Sequence, residues 1–441
     1  MRPRPIGNGT LTPRVPNWFA ALMATLQLRG ANNDALIELN DGEWRELLEF
    51  CDLAHLTLAL AEFRFSGFPE WVDDRLEKNI ADNDWRFDRV RDTYVEAQSA
   101  LQTAGVQHLV VKGFTQAPAF VRDPRHRLQS DLDLYCPQEQ IPAAMAALES
   151  IGYAPFGKAD YYRNADHVPM LCRQGDWQWQ GNAYDPDMPL SIELHFCLWN
   201  ERVSLMAAPE IDQFWERRVT RSIEDFSFPS LHPIDQVAYF ALHILRGAIS
   251  GDWVVHHVRE MASFLHGHAQ DDEFWTKWTS QHSAAFRGLQ AIAFSLAERW
   301  FSCNISAAAS QQITALPQAQ RVWLERCGGA LLENMFRHNR DWVWLHMALL
   351  DSPAKKKAVF RKAIVPSRVP GKNTPALTIN RKRVRSGSNR TVEYAIYVFR
   401  RIAIWGSMVP RFLWHGTLLR FTQGSLRGQF WAFLLASFFL T

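Results

Sequence analysis

Two parts of the chain carry apolar residues at helical spacing. From residue 17 to about 104 such residues recur every three or four positions, which predicts a series of amphipathic helices. A long helix is predicted from about Asn83 to Thr103, with Trp85 on its apolar side, and Gly105 is expected to end it. The same spacing returns from about residue 215 to 350, so a second helical region is predicted there.

The segment between these regions has the pattern of strands. Four short β-rich runs are present, at 108–111, 131–136, 167–172 and 190–197. A helix is predicted to begin at Pro137 and to end at Gly152. This order of elements predicts an α/β (α+β) core with a small mixed sheet, flanked by N-terminal and C-terminal helical regions.

The composition is that of a globular protein with several domains. Hydrophobic residues make up 47% and charged residues 21% of the 441 residues, which excludes a mostly disordered or fibrous chain. The six cysteines form no CxxC pair, and no apolar run has the ~18 residues that would span a bilayer, so we expect reduced thiols and a cytoplasmic location. The predicted regions are an N-terminal helical region at 1–104, an α/β core at 105–215, a helical domain at 216–350, and a basic linker with an amphipathic C-terminal segment at 351–441.

Charge is unevenly distributed along the chain. Residues 351–441 contain 17 Lys and Arg against two acidic residues, whereas the preceding 350 residues carry a net charge of −13. Residues 352–389 are predicted to form a mostly irregular linker, and aromatic and aliphatic residues with scattered arginines follow it. Three hypotheses stay open for this tail: packing on the acidic body, peripheral contact with an anionic membrane, and nucleic-acid binding, which we favour least.

Paired acidic residues lie on the second predicted strand. Asp131 and Asp133 share one face of that strand, while Leu132 and Leu134 point into the opposite layer. Two carboxylates at this spacing form a rigid ligand for a hard divalent cation such as Mg²⁺, although two solvated aspartates on an edge strand have the same short pattern. Glu193, on a later strand, is either a third carboxylate of the same site or a salt-bridged strand residue.

Basic residues precede the acidic pair. Lys112 and Gly113 lie where the first strand ends and a helix is predicted to begin. Glycine allows a phosphate to approach the backbone closely, and lysine contacts phosphate as a point charge. Arg127 has three interpretations: a phosphate contact, a brace for the aspartates, or a loop-surface arginine.

Taken in order, these segments resemble a known family. Their motifs are Val111-Lys112-Gly113, the run from Arg127 to Leu134, His167-Val168-Pro169, and Glu193-Leu194-His195-Phe196. This set is similar to the uncharacterised bacterial nucleotidyltransferases of the nucleotidyltransferase superfamily, which has a polymerase-beta-like fold. The resemblance covers about residues 105–200 closely and the flanking helices more loosely.

The resemblance implies metal-dependent transfer of a nucleoside monophosphate from a nucleoside triphosphate (NTP), such as ATP, to an acceptor hydroxyl on a small molecule, sugar or peptide. Asp131 and Asp133 would bind Mg²⁺ or Mn²⁺, and Glu193 would complete the site as a ligand or as the group that activates the acceptor. The residues that would face the nucleotide are Lys112, Gly113, Arg127 and Ser130.

One motif departs from the superfamily. The usual Gly-Ser pair after the first strand is replaced by Lys112-Gly113-Phe114. Two alternatives therefore stay open: a catalytically altered nucleotide-binding or regulatory protein of the same fold, and an antitoxin-like nucleotidyltransferase that modifies a protein.

Histidines add two weaker candidates. His256 and Glu260 lie one helical turn apart, a spacing found in metal sites, but no third ligand is evident nearby in the sequence, so we predict a solvated helix face. His195 is either a neighbour of the metal ligands or a buried, hydrogen-bonded strand residue.

Overall fold

The computed structural model describes residues 14–63, 67–156, 166–173 and 175–364. They form two compact units. The first contains Pro16–Arg246 and Val254–Ala315, and the second contains Gly247–Trp253 and the described residues from Leu316 onward. The division into four regions at residues 104, 215 and 350 stays a prediction.

The first unit begins with helices: α1 (Asn17–Thr25), α2 (Asp34–Ile37), α3 (Asp41–Leu53), α4 (Thr57–Ala61) and α5 (Glu70–Thr103). Helix α5 begins well before the predicted Asn83, and Gly105 follows its end with a φ of +69°. Trp85 is 59% exposed, so its predicted place on the apolar side is wrong. Tyr94 and Leu101 do lie on the buried side of this helix.

The sheet of the first unit contains β1 (Leu109–Val110), β2 (Asp131–Tyr135), β3 (Tyr153–Pro155), β4 (Leu171–Arg173), β5 (Ser191–His195), β6 (Val219–Ile223) and β7 (Phe226–Ser230). Its order is β3-β4-β5-β2-β1-β7-β6. Strand β2 pairs with β5 in parallel and with β1 in antiparallel orientation. The predicted mixed α/β class is therefore confirmed, and helix α6 (Ile141–Ser150) lies in the predicted segment.

The sheet is larger than predicted because it has seven strands. Strand β3 was not expected, and the β6–β7 hairpin lies where a helical pattern was predicted to begin. In β7 the buried Phe226 and Phe228 alternate with the exposed Ser227, which is the period of a strand. Glu224 turns the chain between the two strands with a φ of +51°.

One face of the sheet packs against α5 and α6. Leu132 and Leu134 of β2 join Ile192 and Leu194 of β5 in a buried cluster that includes Tyr94 of α5. Burial of each such aliphatic side chain contributes roughly 1.5–3 kcal/mol to folding. Because side chains alternate along a strand, the intervening acidic residues of β2 and β5 face the opposite side of the sheet.

The remaining helices of the first unit are α7 (Glu201–Ser204), α8 (Pro233–Ala248), α9 (Val255–Gly267), α10 (Asp272–Gln281), α11 (Ala284–Phe301) and α12 (Ala307–Thr314). Helix α8 belongs to this unit as far as Arg246. An ion pair anchors the start of α8. Arg217 donates from Nε and Nη2 to the two carboxylate oxygens of Asp235, each at 2.8 Å. His282 contacts Asp235 Oδ1 at 3.1 Å, and Asp235 is fully buried. This ion pair fixes the start of α8, the helix that contains Tyr239.

The second unit contains α13 (Gln318–Cys327), α14 (Ala330–Asn334), α15 (Trp342–Ala348) and α16 (Pro353–Ile364). Helix α16 corrects the prediction of an irregular linker from residue 352, because Val359 and Phe360 are buried on one side of it. The rest of the predicted linker and the C-terminal amphipathic segment lie outside the described residues. Within the described part of the chain, no helix is both long enough and apolar enough to cross a bilayer.

Candidate active site

Strand register brings the predicted acidic residues together. In the parallel pairing of β2 and β5, Asp131 lies opposite Ser191, and Asp133 lies opposite Glu193. Tyr135 lies opposite His195 in the same register. Residues paired in this way project from the same face of a sheet, so Asp133 and Glu193 occupy one polar surface.

Asp133 is the centre of the hydrogen bonding on this surface. Its Oδ1 atom accepts from Lys112 Nζ at 2.5 Å and from His195 Nε2 at 2.7 Å. His195 Nε2 also lies 3.7 Å from Glu193 Oε2. Asp133 is 3% exposed and His195 is 1% exposed. Both hypotheses for His195 therefore describe it: the side chain is buried and hydrogen-bonded, and it contacts a predicted metal ligand.

The pKa values of the carboxylates are shifted in different directions. Burial would raise the pKa of Asp133, but Lys112 and the hydrogen bond from His195 together hold that pKa well below its usual range. Burial and the charges of Asp133 and Asp131 raise the pKa of Glu193 to about 8. Burial and the charge of Asp133 also raise the pKa of Asp131. Crowded carboxylates of this kind are the groups that a bound cation stabilises in their charged form.

A metal ion has suitable donors here. One ligand atom each from Asp133, Glu193 and His195 lie within 4.8 Å of one another, and this is the only such group among the described residues. Carboxylates suit Mg²⁺ and Mn²⁺, and an imidazole widens the choice toward softer ions. Asp131 is not part of this group; its role as a ligand stays a prediction, supported by its place on the same face of β2.

The glycine after β1 is needed for a reason the sequence did not reveal. Gly113 has a φ of +64°, and a Cβ there would lie 2.2 Å from Nε2 of Gln129. Gln129 is buried, and its Nε2 donates to the Asp131 carbonyl at 2.7 Å. The space that glycine leaves is thus filled by a side chain that supports β2. A contact between Gly113 and a phosphate stays a prediction.

The segment after Gly113 is a single 3-10 turn, Gly113–Gln116, instead of the predicted start of an α-helix. The hydroxyl of Thr115 is turned back to the Lys112 carbonyl, to which it donates at 3.1 Å. The carbonyl of Thr115 accepts from Arg221 Nη1 at 2.8 Å. The turn is therefore held by bonds to its own backbone and to β6.

Asp166 is a further residue at the site, and no motif pointed to it except its position just before His167. Its carboxylate accepts from Arg246 of α8 and lies 3.9 Å from Nδ1 of His195. Burial opposes this charge, but Arg246 and His195 lower the pKa of Asp166. Asp166 therefore places a carboxylate near Nδ1 of the imidazole, while Nε2 of the same ring contacts Asp133.

The two remaining nucleotide-binding candidates have structural partners. Arg127 donates from Nε to Glu260 Oε1 at 2.8 Å, and the carbonyl of Ser130 accepts from Ser191 N at 3.4 Å. Their contact with a nucleotide stays a prediction. Glu260 is only 9% exposed, so the predicted solvated face of α9 is wrong. The charge of Arg127 offsets the cost of burying this carboxylate.

Comparison with known families agrees with this geometry. The family described as "Uncharacterised nucleotidyltransferase" matches residues 40–302, more than half of the 441 residues. The chain belongs to this family. The nucleotidyltransferase match includes every strand of the sheet and every candidate ligand named above. No curated protein and no solved structure matches the chain.

The predicted resemblance to a nucleotidyltransferase family is therefore confirmed. The bacterial origin and the polymerase-beta-like fold that the resemblance also implied stay predictions.

Proposed function

We propose that this nucleotidyltransferase moves a nucleoside monophosphate from an NTP onto an acceptor hydroxyl with the help of a divalent metal ion. The observation that carries the proposal is the parallel register that sets Asp133 opposite Glu193, with Lys112 on the same surface. Paired carboxylates beside a lysine suit a reaction that gathers metal ions and phosphates at one place.

The chain's own residues would divide the work. Asp133, Glu193 and His195 would hold Mg²⁺ or Mn²⁺, and Asp131 would complete the set. The metal ion, when bound, would neutralise phosphate charge and activate a hydroxyl. Lys112 would contact the triphosphate, since its ammonium lies at the edge of the carboxylate group. Positioning residues around these ligands, such as Asp166 behind His195, orient the donor atoms.

In the proposed reaction, the acceptor oxygen attacks the α-phosphorus of the NTP. The bond from that phosphorus to the bridging oxygen breaks, and pyrophosphate leaves. The acceptor proton passes to Glu193 or, where Glu193 is a ligand, to water. Because burial and its acidic neighbours raise the pKa of Glu193 to about 8, this carboxylate, once ionised, is a stronger base than an ordinary glutamate.

One observation favours a second candidate, a nucleotide-binding protein without turnover. Asp133 Oδ1 already accepts from both Lys112 and His195, so a metal ion must use the other oxygen or displace a donor. Lys112 replaces part of the usual Gly-Ser turn, so this competition is a feature of the altered motif.

The remaining properties follow the predictions from sequence. The expected partners are an NTP and an unidentified acceptor, nucleic acid is not expected, and the protein is proposed to be cytoplasmic. Peripheral contact of the basic C-terminal segment with an anionic membrane is retained as a proposal.

Pyrophosphate release tests the function directly. The full chain is incubated with labelled ATP, CTP, GTP or UTP and with Mg²⁺ or Mn²⁺, and Asp133→Asn and Glu193→Gln are compared with wild type. Glu273→Gln serves as a matched control because this carboxylate is exposed on α10. Release that both site variants abolish supports the enzyme. Nucleotide binding without release, for every acceptor tried, supports the binding protein. Label that appears on a protein supports the protein-modifying alternative.

A further inference from the structure

A cavity lies within the first unit, and none of the candidate metal ligands lines it. Its volume is about 690 Å³, which is in the range of small-molecule sites. Helices α4 and α9 and the segment from Pro118 to Leu128 line it. We call it the Arg127 cavity. Its polar walls come from Arg127, Arg259, Glu260, His55 and His256, and its apolar walls include Leu56, Phe63 and Phe120.

Several polar atoms in its walls lack partners. Glu260 uses Oε1 to accept from Arg127, but its Oε2 is buried and has no hydrogen bond among the described residues. Arg259 is 7% exposed, and its Nε has no partner in the same part of the chain. Nδ1 of His256 is also buried and has no hydrogen-bond partner among the described residues. Buried polar groups nearly always have a partner in the protein, in ordered water or in a ligand, so a bound ligand is one group that would supply the missing bonds.

The side chains in the cavity wall indicate which chemical groups a ligand would have. Guanidinium groups of Arg127 and Arg259 bind carboxylate or phosphate oxygens. Glu260 Oε2 accepts from a hydroxyl. Phe63 and Phe120 offer apolar surface on which the carbon face of a sugar ring or polyol can rest. The walls therefore fit a hydroxylated anion.

The charges of Arg127 and Lys112 link the cavity to the acidic surface electrostatically. Arg127 lies four residues before Asp131 in the chain, and its charge acts against the rise that burial causes in the pKa of Asp131. The imidazole rings of His55 and His256 are 5.0 Å apart, those of His256 and His257 3.8 Å, and those of His257 and His243 4.5 Å. Burial and the charge of Lys112 both lower the pKa of His243. This row of histidines therefore begins in the cavity wall at His55 and His256 and ends at His243, on which the charge of Lys112 acts.

We propose that the Arg127 cavity binds the acceptor of the transfer, and that the acceptor is a phosphorylated or carboxylated sugar or polyol. Its anionic group binds Arg127 and Arg259, and a hydroxyl donates to Glu260 Oε2. Binding of this class of molecule is independent of the reaction. Its role as the acceptor rests on the proposed function.

Calorimetric titration of the full chain tests the binding step. The probes are glucose 6-phosphate, glycerol 3-phosphate and glucuronate, with glucose and glycerol as neutral controls. At least one anion should bind, and the neutral compounds should bind at least tenfold more weakly. The phosphate and acid probes distinguish the two sources of negative charge. Failure of all three anions to bind, or equal binding of glucose or glycerol, overturns the proposal.

Variants assign the binding to the cavity. Arg259→Gln and Glu260→Gln should each weaken binding of the anion at least tenfold, and Arg202→Gln, at an exposed position on α7, should not change it. Ala59→Phe fills the cavity without removing a charge, so it keeps the test decisive if a buried-charge variant fails to fold. Unchanged binding in the folded cavity variants overturns the proposal.

Turnover separates this proposal from the proposed function. Asp133→Asn should abolish transfer to the bound anion but leave its binding unchanged. Binding in the cavity without transfer by wild type leaves the site standing and removes its acceptor role. Transfer that folded cavity variants do not affect leaves the enzyme standing and removes the cavity assignment.

Discussion

Asp133 lies opposite Glu193 in the parallel pairing of β2 and β5. The two residues are far apart in the chain, and a side chain from a third segment, Lys112, contacts Asp133. Like charges on adjacent strands repel, so this arrangement is tolerable only because Lys112 neutralises one carboxylate and burial favours the neutral form of the other.

Metal binding should stabilise the folded protein through this pair. A ligand at a hundred times its Kd adds about 2.7 kcal/mol to the free energy of unfolding, so Mn²⁺ should raise the Tm of wild type by several degrees. Asp133→Asn and Glu193→Gln should lose most of that rise. Differential scanning calorimetry with and without Mn²⁺ measures it, and Glu273→Gln should behave as wild type. An equal rise in all four proteins would place the metal elsewhere.

Loss of Lys112 should be costly without metal and less costly with it. Lys112→Gln leaves Asp133 without its ammonium partner, and breaking a buried pair of this kind costs about 3–5 kcal/mol. A bound Mn²⁺ would restore positive charge at Asp133 and reduce that cost. Urea unfolding with and without Mn²⁺ measures both values.

Lys277→Gln is the matched control for this lysine. Lys277 forms an exposed pair with Glu273 one helical turn away, and such pairs contribute little. Its removal should leave the free energy of unfolding almost unchanged under both conditions. A Lys112 variant that resembles this control would contradict the central role given to the Lys112–Asp133 pair.

Gly113→Ala should be more damaging than alanine at another left-handed glycine. A Cβ in the left-handed region costs roughly 1–2 kcal/mol, and at Gly113 it would also meet Gln129, which should add about 1–3 kcal/mol of overpacking. Gly105 has a similar φ of +69° and open space around its Cβ position, so Gly105→Ala isolates the first cost.

Chemical denaturation of the glycine variants checks this. In a Gln129→Ala background the extra cost of Gly113→Ala should disappear, because the clashing side chain is gone. A cost that persists in that background would show that something other than Gln129 excludes a side chain at residue 113.

The acidic surface was predictable because strands have a period of two. The alternation in Asp131–Tyr135 was enough to place Asp131 and Asp133 on one face and the leucines in the core. The same alternation in β6 and β7 was missed, because apolar residues at helical spacing follow closely after β7. Trp85 was misplaced for a related reason, since α5 is buried along only part of its surface.

Contacts between segments that are distant in the chain could not be predicted from the sequence. Glu260 looked like a solvated residue because the sequence does not show that Arg127, 133 residues away, donates a hydrogen bond to it. Gln129 has no motif of its own, and its packing against Gly113 depends on the turn after β1. Local patterns predict faces of elements, but they do not predict which side chain from another element fills a space or pairs with a charge.

The last prediction concerns the anchor of α8, which positions Tyr239 and Arg246 beside the acidic surface. Burial would raise the pKa of Asp235, but hydrogen bonds from His282 and Arg217 outweigh it and lower that pKa. A carboxyl whose pKa is lower in the folded than in the unfolded state stabilises the fold above its unfolded pKa of about 3.9. That stabilisation is lost as the pH falls through the folded value.

Asp235→Asn should therefore cost about 1–3 kcal/mol at neutral pH, since it removes the charged acceptor of the partly exposed Arg217 and of the buried His282. The difference from wild type should stay constant down to about pH 4 and shrink at lower pH. The charged and titratable groups at Asp235 are Arg217 and His282, and Gln281 also donates to it. Urea unfolding at a series of pH values between 7 and 3 measures the difference. Asp187→Asn, at an exposed position, is the control. A difference that grows below pH 4 would contradict the sign of this linkage and the role of Asp235 as a charged anchor.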